Sequence, residues 1–193
     1  MSEDNAFARL VSLACHDLRT PLATVHGFAT TLERGGNLEP PADRYVEMIN
    51  AASAQLAELI EELSLAARIE SGRYEPTPRE VDTLELARAA AARLGEERAS
   101  VSGAGSSLET DAEAVERGLA ALVQSALRHG GVDRVEVEVD GAEIRVSPVT
   151  PASAPVVLGD DLRDLGAAVA VQLVRRLGGS VSVDGETLRI ALV

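Results

Sequence analysis

The chain has 193 residues, 46% hydrophobic and 25% charged, a globular balance that excludes a disordered protein. A formal net charge of -13 with no basic patch excludes a nucleic-acid backbone as partner. Aromatic residues make up only 2% and tryptophan is absent, so the core must be built from Leu, Val, Ile and Ala. No stretch approaches the roughly 18 apolar residues of a membrane-spanning helix, so no membrane insertion is expected. The start, Met1 to Asn5, lacks the basic and apolar regions of a signal peptide, and the lone Cys15 cannot form an internal disulfide. A cytoplasmic protein is expected, with Cys15 as a small packed residue.

From Ala6 to about Arg34, Val11, Ala14, Leu18, Leu22, Val25, Phe28 and Leu32 recur every three or four residues, which predicts a helix with one buried stripe. Gly35, Gly36 and Asn37 end it, and Pro40-Pro41 precede a second helix that runs to about Ser71. Its set Val46, Ile49, Leu56, Ile60 and Leu63, with Ser53 and Ala67 in the same series, has bundle spacing. Two such helices make a hairpin with apolar surface left over, which a second copy would cover as a four-helix bundle. Residues 73–79, with Pro76 and Pro78, read as a linker. Beyond it the pattern predicts a helix from Thr83 to about Leu94, a Gly/Ser-rich loop from Ser100 to Ser107, and a helix from Asp111 to about Arg128. A hairpin follows across Asp140-Gly141, then a helix from about Leu162 to Leu177, and a last hairpin across Asp184-Gly185. The expected fold class is α+β: residues 1–72 a helical hairpin forming a dimeric four-helix bundle, residues 80–193 an α/β sandwich.

The chemistry concentrates in His16-Asp17-Leu18-Arg19-Thr20-Pro21-Leu22. A neutral imidazole is a good nucleophile near pH 7, and Asp17 beside it can take its other proton or balance developing charge. Thr20, one turn on, shares a face with His16 and has a hydroxyl able to orient a water there. Arg19 is placed to pair with a phosphoryl group or with acids of a partner. His16 lies two residues from both Ala14 and Leu18, so it is expected to face solvent. Pro21 is expected to kink or loosen the turn just beyond.

This run resembles the H-box of sensor histidine kinases at every position, and Leu63 to Gly72 resembles the end of the second helix of the same domain. The resemblance implies that His16 is the phospho-acceptor, Asp17 its acid/base partner, and Thr20 the residue used to dephosphorylate a response regulator. It also implies a homodimer.

The order of elements after residue 80 resembles the ATP-binding domain of those kinases, but its nucleotide motifs have changed. Where the family carries two asparagines, one of which holds magnesium, Ala121-Leu122-Val123-Gln124-Ser125-Ala126-Leu127-Arg128-His129 has Ala121 and Ser125, and Gln124 points about 100° away. Where the family has Asp-x-Gly-x-Gly for adenine, Ser147 to Ala152 holds neither acid nor glycine, although Asp160 and Asp161 follow as candidates for a shifted motif. The phosphate loop is reduced to Gly166 within Asp164 to Ala168. His129 reads as a C-terminal helix cap, His26 as structural or exposed, and no group has metal-ligand spacing.

The expectation is therefore a phosphorelay protein that carries a phosphoryl group on His16 and exchanges it with an aspartate of a response regulator. It would bind neither ATP nor magnesium, the magnesium belonging to the regulator's receiver domain, and an upstream kinase or sensor would be a further partner. The alternatives are a minimal ATP-dependent histidine kinase with a divergent nucleotide site, and a non-enzymatic dimeric adaptor that binds a regulator.

Overall fold

The computed structural model describes residues 3–36, 38–95 and 97–193, so Asn37 in the predicted helix end lies outside the described residues. The chain divides into two units, Met1–Tyr74 and Glu75–Val193.

The first unit is a hairpin of α1 (Glu3–Arg34) and α2 (Ala42–Glu70). Arg19 pairs with Glu61 and Thr30 Oγ1 donates to Asn50 Oδ1, so the helices run antiparallel. Asn50 also donates from Nδ2 to Glu33. The apolar residues of each helix do not form the single buried stripe expected from their spacing. They form two rows, each repeating every seven residues. Cys15, Leu22 and Ala29 on α1 and Val46, Ser53, Ile60 and Ala67 on α2 are buried or half-buried. Leu18, Val25 and Leu32, with Ile49, Leu56 and Leu63, are exposed, as are Phe28, Tyr45, Met48 and Leu59. Two helices can close one seam only, and the rows offset by three residues from the closed seam stay open. At the end of α2, Ser71 Oγ donates to the Ala67 carbonyl, and Tyr74 is buried with its ring 5.9 Å from the Arg68 guanidinium. No helix among the described residues is long and apolar enough to cross a membrane.

The second unit begins with β1 (Arg79–Asp82), whose last residue caps α3 (Thr83–Ala92) by accepting from the amides of Leu84 and Glu85. The predicted Gly/Ser-rich loop is instead two strands, β2 (Ala99–Gly105) and β3 (Ser107–Thr110). β3 pairs with β1, and β2 runs parallel to β4 (Val135–Gly141). The strand went unseen because β2 lacks apolar alternation; its pairing rests on backbone. Gly103 has φ +104, and a Cβ there would overlap the Val139 carbonyl, so only glycine lets β2 lie this close.

Between β3 and β4 runs α4 (Ala112–Gly130), ended by Gly131 in the left-handed region. After β5 (Glu143–Ser147) come the short α5 (Ala154–Val157), α6 (Leu165–Arg176), β6 (Ser180–Asp184) and β7 (Thr187–Ala191). The main sheet has the order β2-β4-β5-β7-β6, antiparallel apart from β2 with β4. The alternation read from the sequence puts Val135, Val137, Val139, Ile144, Val146, Leu188 and Ile190 on one face, where they join Leu122, Ala126 and Ala170 of the helices in a single core. Each fully buried Leu or Ile there contributes about 1.5–3 kcal/mol. The opposite face is a charge network. Arg145 and Arg189 lie directly across from one another, and Glu143 pairs with both, at 2.5 Å and 3.6 Å. Hydrogen bonds that Arg145 donates to Glu143 and then to Asp140 raise its pKa above the usual value.

Ser125 sits in this core with 0% exposure, and its hydroxyl has no hydrogen-bond partner. A dry, unpaired hydroxyl is a desolvation cost without return. Ser125→Ala is expected to raise the unfolding free energy by about 1 kcal/mol, read by chemical denaturation; a loss of stability would mean that the hydroxyl is satisfied in solution.

Candidate functional site

His16 and Asp17 lie near the middle of α1, with side-chain exposures of 78% and 69%. Leu18, Val25 and Leu32 of the open row come two, nine and sixteen residues after His16, which at about 100° per residue is roughly 160–200° around the helix. His16 is thus on the side of α1 opposite the open row, as its expected solvent-facing position requires. Covering that row with another helix would leave the imidazole free.

His16 Nδ1 is 3.2 Å from Asp17 Oδ1. A carboxylate only accepts, so the contact places the proton of the neutral ring on Nδ1. The lone pair is then on Nε2, the atom farther from the backbone. Thr20 is exposed one turn on, about 40° around the helix from His16, and its carbonyl accepts from Thr24 Oγ1 at 3.0 Å. The helix assignment is continuous through Pro21, which has no N–H to give to the Asp17 carbonyl and so leaves that turn one hydrogen bond short. Arg19 turns toward α2, its Nε 3.7 Å from Glu61 Oε1 with both side chains about half exposed. Such a pair is worth about 0–1 kcal/mol, weak enough for a stronger anion to compete. Sequence reading had not placed Glu61 opposite Arg19, because an inter-helix partner depends on the register of the hairpin. Cys15 is buried in the closed seam, and His26 is exposed.

In the second unit, Ser125 lies in the core and Ala121 is half-buried, while Gln124 is exposed. The segment after β5 packs inward through Val149, Val156 and Val157, at most 1% exposed. It is tied to the end of α4 by Thr150 Oγ1, which donates to the Gly130 carbonyl at 3.5 Å. Asp161 is engaged with Arg163 at 2.8 Å, and Asp160 is exposed. The helix predicted from Leu162 starts at Leu165, because Asp164 caps it by accepting from the Ala167 amide. His129 stands in the last turn of α4, as expected of a basic residue at a helix C-terminus, and also reaches α6. Its Nε2 is 3.1 Å from Asp164 Oδ2, with Arg128 Nη1 at 3.8 Å. Gly166 is an ordinary residue of the first turn of α6. An aspartate just before an apolar helical run is a start signal, so Asp164 was legible as a cap; its bonds to α4 were not. Among the described residues, no cluster of His, Cys, Asp and Glu could hold a metal ion.

Residues 8–72 match the family model of the His Kinase A (phospho-acceptor) domain. An uncharacterized sensor-like histidine kinase of Rhizobium meliloti is 35% identical over 77 residues, 38% of this chain and 15% of that protein. The probable sensor histidine kinase TcrY of Mycobacterium tuberculosis is 29% identical over 72 residues, 37% of this chain and 15% of that protein. The match thus covers about 15% of the length of either relative. Among solved structures, full-length ShkA in complex with AMPPNP is similar with a TM-score of 0.67 and 21% identity, over 94% of this chain and 44% of that one. The Acinetobacter baumannii histidine kinase AdeS is similar with a TM-score of 0.55 and 19% identity, over 92% of this chain and 98% of that one. At these identities the likeness to solved structures is one of fold: two long helices, then the mixed α/β sheet of an ATP-binding domain. Residues 8–72 are thus a His Kinase A (phospho-acceptor) domain like that of the sensor histidine kinases it matches, and the fold of the whole chain is similar to that of solved histidine kinases.

Proposed function

We propose that this chain is a homodimeric histidine phosphotransferase, which takes a phosphoryl group onto His16 from a response regulator aspartate, or returns it, without using ATP. The observation that carries this reading is the His16–Asp17 pair, with Nδ1 held at 3.2 Å from the carboxylate on an exposed face of α1. Nε2 attacks the phosphorus of an aspartyl phosphate; an N–P bond forms as the P–O bond breaks, and the regulator's carboxylate leaves with the electron pair. The ring becomes cationic as it attacks, and Asp17 stabilises that charge through Nδ1–H. Arg19 can trade Glu61 for the phosphoryl oxygens. The Thr20 hydroxyl can orient a water that attacks the phosphorus of the regulator's aspartyl phosphate, whose P–O bond breaks to release inorganic phosphate and the free carboxylate.

Three features of the second unit support the absence of ATP chemistry. The position that corresponds to the family's magnesium-holding asparagine is Ser125, dry and unpaired. The segment after β5 fills the core with valines and offers no acid for adenine. The N-terminus of α6 already carries the carboxylate of Asp164. These residues do not fit a magnesium-bound triphosphate, since an acid at a helix N-terminus repels the anion that the dipole would attract. The rival reading, an ATP-dependent kinase with a divergent site, draws on the fold shared with ShkA, whose structure holds AMPPNP.

The open rows of α1 and α2 support the dimer. Ten large apolar side chains, from Leu18 on α1 to Leu63 on α2, are exposed on one hairpin, and a second copy can bury them as a four-helix bundle. Val25→Glu or Leu56→Glu is expected to convert the dimer to a monomer in sedimentation velocity, whereas a variant that stays dimeric would place the interface elsewhere.

The decisive assay offers the chain either a phosphorylated receiver domain or labelled Mg-ATP and follows label on His16. Label is expected from the receiver only, absent in His16→Gln and slowed about 100-fold in Asp17→Asn. Label from Mg-ATP that depends on His16 would overturn the reading in favour of the kinase.

A further inference from the structure

The main sheet of the second unit leaves its outer face to water, as antiparallel sheets commonly do, and no exposed large apolar side chain stands on its strands. The charges on that face are unevenly paired. Arg145 donates to Glu143 at 2.5 Å and to Asp140 at 3.1 Å, and Arg189 donates to Asp184 at 2.8 Å, so both guanidiniums have carboxylates close by. Glu138 is 3.5 Å from the already bonded Arg145, with 61% of its side chain exposed, and the exposed Glu136 enters none of these pairs. These two carboxylates are in surplus. As alternate residues of β4 they stand on the same side of the sheet, about 7 Å apart along the strand.

Glu136 and Glu138 border a hollow of about 480 Å³ that crosses to Arg145 and Arg189 and is otherwise lined by Ser102, Ser147 and Thr187. In the strand register Ser102 lies across from Glu138 and Ser147 across from Glu136, so a short hydroxyl side chain flanks each carboxylate. Carboxylate and hydroxyl oxygens are acceptors, the groups that surround an ammonium or a guanidinium. Arg145, held by its acids with 28% of its side chain exposed, forms a wall that is in place before anything binds.

We propose that this outer face docks a partner protein through lysine or arginine side chains, carried at alternate positions of an extended segment, which enter the hollow beside Glu136 and Glu138. Alternate side chains of an extended segment repeat at the same spacing of about 7 Å, so two of them meet the two carboxylates together. The formal net charge of -13 on the chain adds a long-range attraction for such a segment. The proposal concerns the second unit only and is independent of phosphoryl transfer at His16.

The probe is a capped, fluorescently labelled heptapeptide of alternating lysine and serine, titrated with the full chain at about 50 mM salt and read by anisotropy. Binding is expected, and it should weaken about tenfold when Glu136→Gln and Glu138→Gln are combined. Ser102→Tyr, which fills the hollow without changing the charge, should weaken it to a similar extent. The combination of Glu97→Gln and Glu109→Gln removes two negative charges at exposed positions of the same unit and should leave the affinity within about twofold of the wild type. Absence of binding to the wild type, equal binding after the Glu136 and Glu138 changes or after Ser102→Tyr, or an equal loss in the Glu97 and Glu109 control would overturn the proposal. Should Ser102→Tyr fail to fold by circular dichroism, the glutamine pair, isosteric with the acids it replaces, decides.

Discussion

On each helix of the hairpin, two apolar rows repeat every seven residues and point in directions about 60° apart, and one antiparallel neighbour can cover only one of them. The row of Cys15, Leu22 and Ala29 meets Val46, Ser53, Ile60 and Ala67 within the chain, and small side chains at Cys15, Ala29, Ser53 and Ala67 suit a closely packed seam. The row of Leu18, Val25 and Leu32 stays about half exposed. Much else in the first unit follows from this division. It decides which surface needs a partner, and it leaves the opposite side of α1 polar and open, where the imidazole of His16 is 78% exposed. Under the proposed phosphotransfer, a nucleophile that meets an aspartyl phosphate on another protein needs both conditions, a rigid backbone beneath it and no helix in front of it.

The second unit reaches its order by another route. A sheet with one apolar and one charged face is held under α3, α4 and α6, and charge joins the end of α4 to the start of α6 in addition to their shared apolar core. On the outer face, two arginines set directly opposite would repel one another, and Glu143 between them, with Asp140, Glu138 and Asp184 around them, turns the repulsion into a network. Inside, Ser125 is a polar residue that the fold leaves dry, an exception to the rule that buried polar groups are paired.

Much of the fold was legible because strong periodicity leaves little choice. The helices around His16 and Leu122 and the hairpins across Asp140-Gly141 and Asp184-Gly185 follow from spacing and turn residues alone. The strand β2 did not show, since Ser100 to Gly105 carries no apolar alternation and its pairing with β4 depends on Gly103 permitting a backbone contact that no side-chain pattern records. The short β1 and β3 were hidden for a related reason, being four residues each and paired mainly with one another. In the site, the His16–Asp17 pair was legible because the two are neighbours in the chain. The partners of Arg19 and His129 were not, because Glu61 is 42 and Asp164 is 35 residues away and only folding brings them within reach.

The sequence by itself determined the seven-residue motif from His16 to Leu22, the amphipathic character of both long helices and the exposure of His16. These are properties of neighbouring residues or of helical periodicity, which local geometry converts into faces. Only the tertiary structure decided which apolar row closes within the chain and which stays open, that Ser125 is dry, and that the Asp164 carboxylate bridges two helices. Each of these depends on the register and packing of elements far apart in sequence, where a shift of one residue in a helix turns every side chain by about 100° and exchanges one neighbour for another.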